Sequence, residues 1–227
     1  MSTATAPIGI LGGTFDPVHF GHLRLAQEIG QALKLEEVRF IPSGTPPHRG
    51  SPAGSAAGRL AMVRLATAGN PLFSVDDREI RRAGPGYTVD TLAELRREFG
   101  ATRPLCLLLG ADAFLDLLTW SRWHELFTLA HIVVAHRPGF PIDGWHTRMP
   151  QPLAKEYEAR LMHQPLAVHL APCGGIAVAP IAALDISATM IRDAVHAGAS
   201  PRYLLPDAVL DYIESHRLYI QEGNESR

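Results

Sequence analysis

The sequence predicts an α/β protein built on a doubly wound parallel sheet, a Rossmann-like arrangement with helices closing its C-terminal part. Two observations predict it. Short apolar runs alternate with amphipathic stretches of helical period from one end of the chain to the other. Strands that alternate with helices pair in parallel through right-handed crossovers. A third observation bounds the organisation: no linker separates two parts of the chain. Residues 1–227 are therefore expected to form one domain, whose last part, about 187–220, is helical.

The elements follow in order. Ile8 to Leu11 is an apolar run that ends in Gly12-Gly13 and reads as a buried strand. After Gly21, the residues Leu23, Ala26, Ile29 and Leu33 recur at steps of three and four, which gives a helix one buried face. "VRFIP" from Val38 is a second strand, and a Gly-, Pro- and Ser-rich loop runs from Ser43 to Gly58. A helix around Arg59 to Ala68 and a strand at Phe73 to Val75 come next. Val89, Leu92, Leu95 and Phe99 mark another helix. "LCLLLG" (105–110) and "HIVVAH" (131–136) are the clearest buried strands, with a helical stretch containing Trp120 and Trp123 between them. Residues 138–165 are Pro- and Gly-rich and predict a loop with one helix near Leu153 to Met162. From Ser187 onward the chain is helical; Pro206 suits a first helical turn, and Val209 and Ile213 face inward.

Composition narrows the function classes. With 227 residues, 46% of them hydrophobic and 19% charged, the chain can bury a sizeable core. A net charge of −2 gives no global basic field for broad nucleic-acid binding, though local cationic sites remain open. Cys106 and Cys173 lie far apart without CxxC spacing, which argues against a disulfide framework or a structural zinc site and fits a cytoplasmic protein. No apolar run approaches the roughly 20 residues that span a bilayer. No basic segment leads an apolar stretch at the N-terminus, so neither a signal peptide nor a membrane partner is expected. No stripe of residues identifies an interface, so homo-oligomers stay open.

The chemistry concentrates in "GGTFDPVHFGH", residues 12–22. In an open parallel sheet, ligands sit beyond the carboxyl ends of the strands, and this stretch is placed there. Glycines let the backbone approach a phosphate without a side-chain clash. The helix beginning near Gly21 offers free N–H groups and the positive end of its dipole. His19 and His22 stand at the entrance to that helix, spaced so that both imidazoles can enter one cleft and donate to phosphate oxygens. The stretch is neither GxGxxG nor GxxxxGK followed by Ser or Thr. Taken singly, a glycine pair is ordinarily a turn, and two histidines at this spacing are ordinarily a cap or a surface pair. The combination of strand, Gly-Gly, His-x-x-His and helix points to phosphate binding. A metal site made of these two histidines lacks a third ligand nearby.

"GGTFDPVHFGH" resembles the signature of the HxGH nucleotidyltransferase superfamily, here His19-Phe20-Gly21-His22. "ISATMIR" (186–192) is similar to the superfamily's ISSTxIR element. With "PPHR" (46–49), "GYTVDTL" (86–92), "LGADAF" (109–114), "TWSRW" (119–123) and "LPDAVLDYIESHRLY" (205–219), the chain looks like a bacterial nicotinate-nucleotide adenylyltransferase. The resemblance covers nearly the whole chain, and the ordered set is far more specific than any one motif. One departure is visible: Ala188 stands where many relatives carry Ser, so one hydroxyl contact to phosphate is absent while Ser187 and Thr189 remain.

The resemblance implies transfer of AMP from ATP to nicotinate mononucleotide, giving deamido-NAD and pyrophosphate. The nucleophile is a phosphate oxygen already ionised at neutral pH, so no deprotonating base is needed. Positioning and cationic stabilisation dominate, with Mg²⁺ expected on the triphosphate. His22 would support the reacting phosphates, His19 would hold the triphosphate, and Arg192 would neutralise the leaving pyrophosphate. Ser187 would cap a helix whose N-terminus faces the β- and γ-phosphates. The resemblance extends the ATP site to Gly12, Gly13, Thr14, Phe15, Gly110 and Thr189. Asp112 would accept from ribose hydroxyls or cap the next helix, and Arg137 would approach the adenine side. Asp16 is open between ligand contact and support of the Asp16-Pro17 turn.

The same resemblance places nicotinate mononucleotide at the other end. Trp120 would stack on the pyridine ring. Tyr87-Thr88 would lead a helix whose amides meet the carboxylate. His48 and Arg49, in the 43–58 loop, would reach the mononucleotide phosphate. Three rivals remain. Pantetheine-phosphate adenylyltransferase is usually shorter and lacks a "TWSRW"-type element. A catalytically silent nucleotide-binding module is opposed by the intact His19, His22 and Arg192. A nucleic-acid enzyme is opposed by the short, near-neutral chain.

Overall fold

The computed structural model describes residues 5–44, 52–136, 149–182 and 184–220. Six strands form one parallel sheet: β1 (Ile8–Gly13), β2 (Glu37–Pro42), β3 (Phe73–Val75), β4 (Leu105–Gly110), β5 (His131–His136) and β6 (Ile176–Pro180). Their order across the sheet is β3-β2-β1-β4-β5-β6. The chain winds outward in one direction from β1 and in the other from β4, so the strand order reverses between these two neighbours. That reversal is where doubly wound sheets open a ligand crevice.

The register shows the crevice directly. β1 pairs with β2 along its whole length, from Ile8↔Glu37 to Gly13↔Pro42. Its pairing with β4 stops at Ile10↔Leu107, so the two strands part before reaching Gly13 and Gly110. A Cβ added at Gly12 or Gly110 would meet nothing within 4 Å. The glycines at both strand ends therefore face open space.

Strand alternation sends side chains to two cores. On one face, Leu11, Val38, Phe40, Cys106, Leu108 and Val133 pack with the helices α1 (Phe20–Ala32), α2 (Ala56–Thr67), α8 (Ala188–His196) and α9 (Asp207–Ser215). On the other, Ile8, Ile10, Leu105, Leu107, Ile132 and Val134 pack with α4 (Thr88–Phe99), α5 (Ala111–Leu115), α6 (Leu126–Leu129) and α7 (Gln151–Arg160). A single turn, α3 (Arg78–Arg81), follows β3. The strands are apolar almost throughout because both sheet faces are covered.

At the end of the sheet away from the crevice, two side chains satisfy buried carbonyls. Arg96 donates to the carbonyls of Leu129, Gly100, Arg103 and Pro172. The buried His131 ring donates from Nε2 to Ala171 O at 2.8 Å and accepts Gly175 N–H on Nδ1 at 3.0 Å. Both nitrogens are used by a neutral ring. Burial, with the Arg96 charge beside it, lowers its pKa.

Several elements differ from the sequence reading. β6 was not anticipated. The second long helix begins at Ala56 rather than Arg59, because the Ser55 hydroxyl accepts Gly58 N–H and caps it three residues earlier. The stretch around Trp120 and Trp123 is broken into two 3₁₀ turns, Leu117–Thr119 and Trp123–Glu125, with Arg122 at φ 50° between them. Pro206 lies just outside its helix at the N-cap position, and the first turn starts at Asp207.

Candidate active site

The residues "TFDPVH" leave β1 and carry the chain into α1. Phe15 turns its ring into the core, 2% exposed, at φ 50°. There it supports His22 edge-on at 5.0 Å and Phe40 at 5.8 Å. The Phe15 side chain thus lies beneath the crevice. His19 is the N-cap of α1, and His22 reaches back to it: the His19 backbone N–H faces His22 Nδ1 at 3.3 Å. Their rings lie 3.8 Å apart at 32°. A Cβ on Gly21 would stand 3.0 Å from Cε1 and Nδ1 of His19, so a side chain there would crowd that ring.

Both imidazoles are held neutral. Desolvation lowers His19 to about 4. His22 falls well below its usual range, first through desolvation and then through repulsion from His19. His19 Nδ1 is buried without a hydrogen-bond partner. A buried ring nitrogen left open in this way costs free energy until something meets it.

The C-terminal segment closes over the same place. Ser187 caps α8, its hydroxyl accepting Met190 N–H at 3.1 Å. Arg192, a little over one turn along, donates to the Asp16 carbonyl at 2.7 Å and to Thr189 Oγ1 at 3.1 Å. The carbonyl of Ile186 lies 3.6 Å from the Cβ position at Gly21. Leu204 O accepts Phe20 N–H at 3.0 Å, at the first turn of α1. Residues 186–192 and 15–22 therefore meet, although they are far apart in sequence.

Three groups hold the loop from beneath. Asp16, 6% exposed, accepts from Ala53 N–H at 2.7 Å, Gly54 N–H at 2.9 Å and the Tyr219 hydroxyl at 2.7 Å. Its side chain is spent on protein donors. Arg59, 1% exposed, donates to the carbonyls of Thr14, Gly44 and Gly54. The sequence reading missed both Arg59 and Tyr219. Arg59 falls on the buried face of an apolar helix, and Tyr219 sits in the C-terminal "SHRLY"; an arginine inside an apolar face was the available signal.

Asp112 stands second in α5, whose N-cap is Gly110, so it is not the helix cap. Tyr87 is the N-cap of α4 and Thr88 its first residue. Trp120 and Tyr87 both pack, partly exposed, on the apolar cluster of that sheet face. Arg122 pairs with Asp90 in the first turn of α4, which ties the Trp120 segment to the start of that helix. Trp123 stacks on His124 and meets Phe127 edge-on, so it is the more committed of the two tryptophans to packing. His48, Arg49 and Arg137 lie outside the described residues.

Among the described residues no group of three or more His, Cys, Asp or Glu side chains is arranged to hold a metal ion. No described helix is long and apolar enough to cross a membrane. What the crevice offers is backbone, two neutral imidazoles and a guanidinium, a donor set matched to phosphate oxygens.

Residues 10–194 match the cytidylyltransferase-like family. A probable nicotinate-nucleotide adenylyltransferase of Dechloromonas aromatica is 52% identical over 213 residues, covering 94% of this chain and 97% of that protein. Another, from Halorhodospira halophila, is 50% identical over 202 residues, covering 89% and 90%. Among solved structures, Plasmodium falciparum nicotinic acid mononucleotide adenylyltransferase complexed with NaAD superposes with a TM-score of 0.70, covering 94% of this chain and 97% of that one. Its sequence identity is 17%, so that likeness speaks for the fold. With the HxGH loop at the sheet's switch point and half of its residues shared with such relatives over nearly their full length, the chain belongs to the nicotinate-nucleotide adenylyltransferase family.

Proposed function

We propose that this protein transfers AMP from MgATP to nicotinate mononucleotide, forming nicotinate adenine dinucleotide and pyrophosphate in NAD biosynthesis. A phosphate oxygen of the mononucleotide attacks the α-phosphorus. The bond from that phosphorus to the β-phosphate oxygen breaks on the opposite side, and pyrophosphate leaves with the electron pair. The nucleophile is ionised at neutral pH, so no protein base takes part and no covalent intermediate forms. The observation that carries the reading is the paired imidazoles of His19 and His22 at the mouth of the β1–β4 crevice, with Arg192 brought against the same loop.

His22 supports the reacting phosphates and His19 the triphosphate. His19 Nδ1 is the open nitrogen that a phosphate or its water shell would meet. Phosphate oxygens beside the rings favour their protonated forms, so the site gains positive charge as it fills. Gly12, Gly13, Thr14, Phe15 and Gly110 serve through their backbones. Ser187, Thr189 and Arg192 hold the β- and γ-phosphates, and Asp112 takes the ribose hydroxyls. Trp120 stacks on the pyridine, and the amides at Tyr87-Thr88 meet its carboxylate. The donor set described above would grip phosphate oxygens rather than a metal, so a magnesium ion would arrive on the triphosphate and take its ligands there and from water. Mg²⁺ neutralises phosphate charge when bound. The whole chain acts as one nucleotidyltransferase domain in the cytoplasm, in keeping with its free cysteines.

The test is a pyrophosphate-release assay with MgATP and, in parallel, nicotinate mononucleotide, nicotinamide mononucleotide and phosphopantetheine. Nicotinate mononucleotide should be used best. Turnover of phosphopantetheine alone would overturn the reading of the pyridine end.

A further inference from the structure

The end of the chain is spent on the first loop. After α9, the backbone enters the left-handed region at Arg217 (φ 51°) and again at Tyr219 (φ 63°). For residues with a side chain, each such position costs about 1 kcal/mol or more. Leu218 N–H closes onto Ile213 O at 2.9 Å, and the chain then swings the Tyr219 ring inward against the core. The result of this contortion is one hydrogen bond: the phenol donates to Asp16 Oδ1 at 2.7 Å, across 203 residues of sequence.

Asp16 is where two lines of contact cross. Its carboxylate takes Tyr219, Ala53 and Gly54, while its main-chain carbonyl takes the Arg192 guanidinium at 2.7 Å. Burial raises the Tyr219 hydroxyl's pKa, as does the Asp16 carboxylate, against an opposing pull from Arg192 and Arg59. The phenol therefore stays protonated and remains a donor. Gly54 leaves room for the arrangement: a Cβ there would stand 2.7 Å from Asp16 Oδ1 and 3.1 Å from the Tyr219 oxygen. Packing alone would be served by a phenylalanine at an ordinary φ.

We propose that Tyr219 is a positioning residue for adenylyl transfer: its hydroxyl fixes the side chain of Asp16, and Asp16 through its carbonyl fixes the guanidinium of Arg192 toward the leaving pyrophosphate. The proposal rests on the reading of Arg192 given above. It assigns to Tyr219 an effect on ATP and not on the mononucleotide, since Arg192 serves only the triphosphate.

The experiment is a double-mutant cycle on the full chain, with Tyr219→Phe, Arg192→Ala and the pair, read by pyrophosphate release at varied MgATP and varied nicotinate mononucleotide. Tyr219→Phe should lower kcat/KM for MgATP about five- to tenfold, the scale of a weakened charge-assisted hydrogen bond. The KM for nicotinate mononucleotide should stay within about twofold, since uniform binding there is untouched. In the Arg192→Ala background the same change should cost less than about twofold. Tyr219→Met, which keeps an apolar side chain of similar reach and likewise lacks the hydroxyl, should show the same ATP-selective loss and carries the test if Tyr219→Phe fails to fold. A rise in the KM for nicotinate mononucleotide equal to that for MgATP, or a full Tyr219→Phe penalty on top of Arg192→Ala, would overturn the proposal while leaving Arg192 in place. Unchanged ATP kinetics in Arg192→Ala alone would remove Arg192 from the reaction, and the proposal with it.

Discussion

The His19 and His22 rings lie 3.8 Å apart, and the backbone N–H of the first faces Nδ1 of the second at 3.3 Å. One ring's position is thus set by the other's main chain, and both are kept neutral by their surroundings. The pair forms part of the cap of α1 and of the proposed phosphate site at once.

Replacing His22 by Ala separates those two roles. The cap loses one weak hydrogen bond, so the melting temperature should move by only a few degrees, about 1 kcal/mol in stability. Turnover should fall about 10²- to 10³-fold, the usual cost of removing one preorganised donor to a transition-state oxyanion. Steady-state kinetics beside a thermal melt reads both. Unchanged turnover would remove His22 from the mechanism.

Acid should destabilise the fold through its buried histidines. The folded-state values of His19, His22 and His131 are depressed, so the unfolded chain binds protons more readily than the folded one. Stability is then fully present above the unfolded value of about 6.5 and is lost as pH falls toward the folded values. For His19, lowered to about 4, the loss at pH 5 is ~2 kcal/mol. Urea titrations at pH 7.5 and pH 5 check this, and His19→Gln should flatten part of the difference.

Binding of MgATP should draw protons in. Phosphate beside the imidazoles raises their pKa, so complex formation near pH 6.5 should take up roughly one proton. Calorimetry in buffers of different ionisation enthalpy measures it. Zero uptake would mean that the rings stay neutral in the complex.

Gly21→Ala sets two effects against each other. Alanine favours a helix over glycine by about 1 kcal/mol. Its Cβ would also stand 3.0 Å from the His19 ring and push it aside. The melting temperature should hold or rise while kcat/KM for MgATP drops about tenfold, since small misplacements at a reacting centre are costly. A variant with both stability and activity intact would show that the His19 ring has room to move.

Trp120→Ala should raise the KM for nicotinate mononucleotide about tenfold, the scale of a lost aromatic stack, with the KM for MgATP unchanged. Trp120→Phe should recover most of it. A loss confined to thermal stability would assign Trp120 to packing, as Trp123 already is.

Much of this was legible in the sequence because its period was unambiguous. "LCLLLG" and "HIVVAH" are uninterrupted apolar runs and became the paired strands β4 and β5. "GGTFDPVHFGH" announced a strand end, a loop and a helix start, and the chain makes each of them. β6 was missed because "IAVAP" follows a Gly-rich stretch and is only five residues long, so the pattern of turns outweighed the run. The segment around Trp120 read as a helix from its composition. The folded chain has two 3₁₀ turns there instead, with Arg122 at φ 50° between them and paired with Asp90. The Asp16–Arg59–Tyr219 cluster gave one local signal, the arginine on an apolar helix face, and nothing that joined its members. Its members lie dozens to hundreds of residues apart and carry no local period, so only the folded chain brings them together.

That cluster has a consequence for the order of events in the cell. The loop after β1 is synthesised 203 residues before the phenol that steadies it. Such long-range closure is slow to form. A nascent chain therefore holds Asp16 without its phenol partner until Tyr219 has been made, and cleavage before that residue would leave the six strands in place while freeing the Asp16 side chain from one of its three donors.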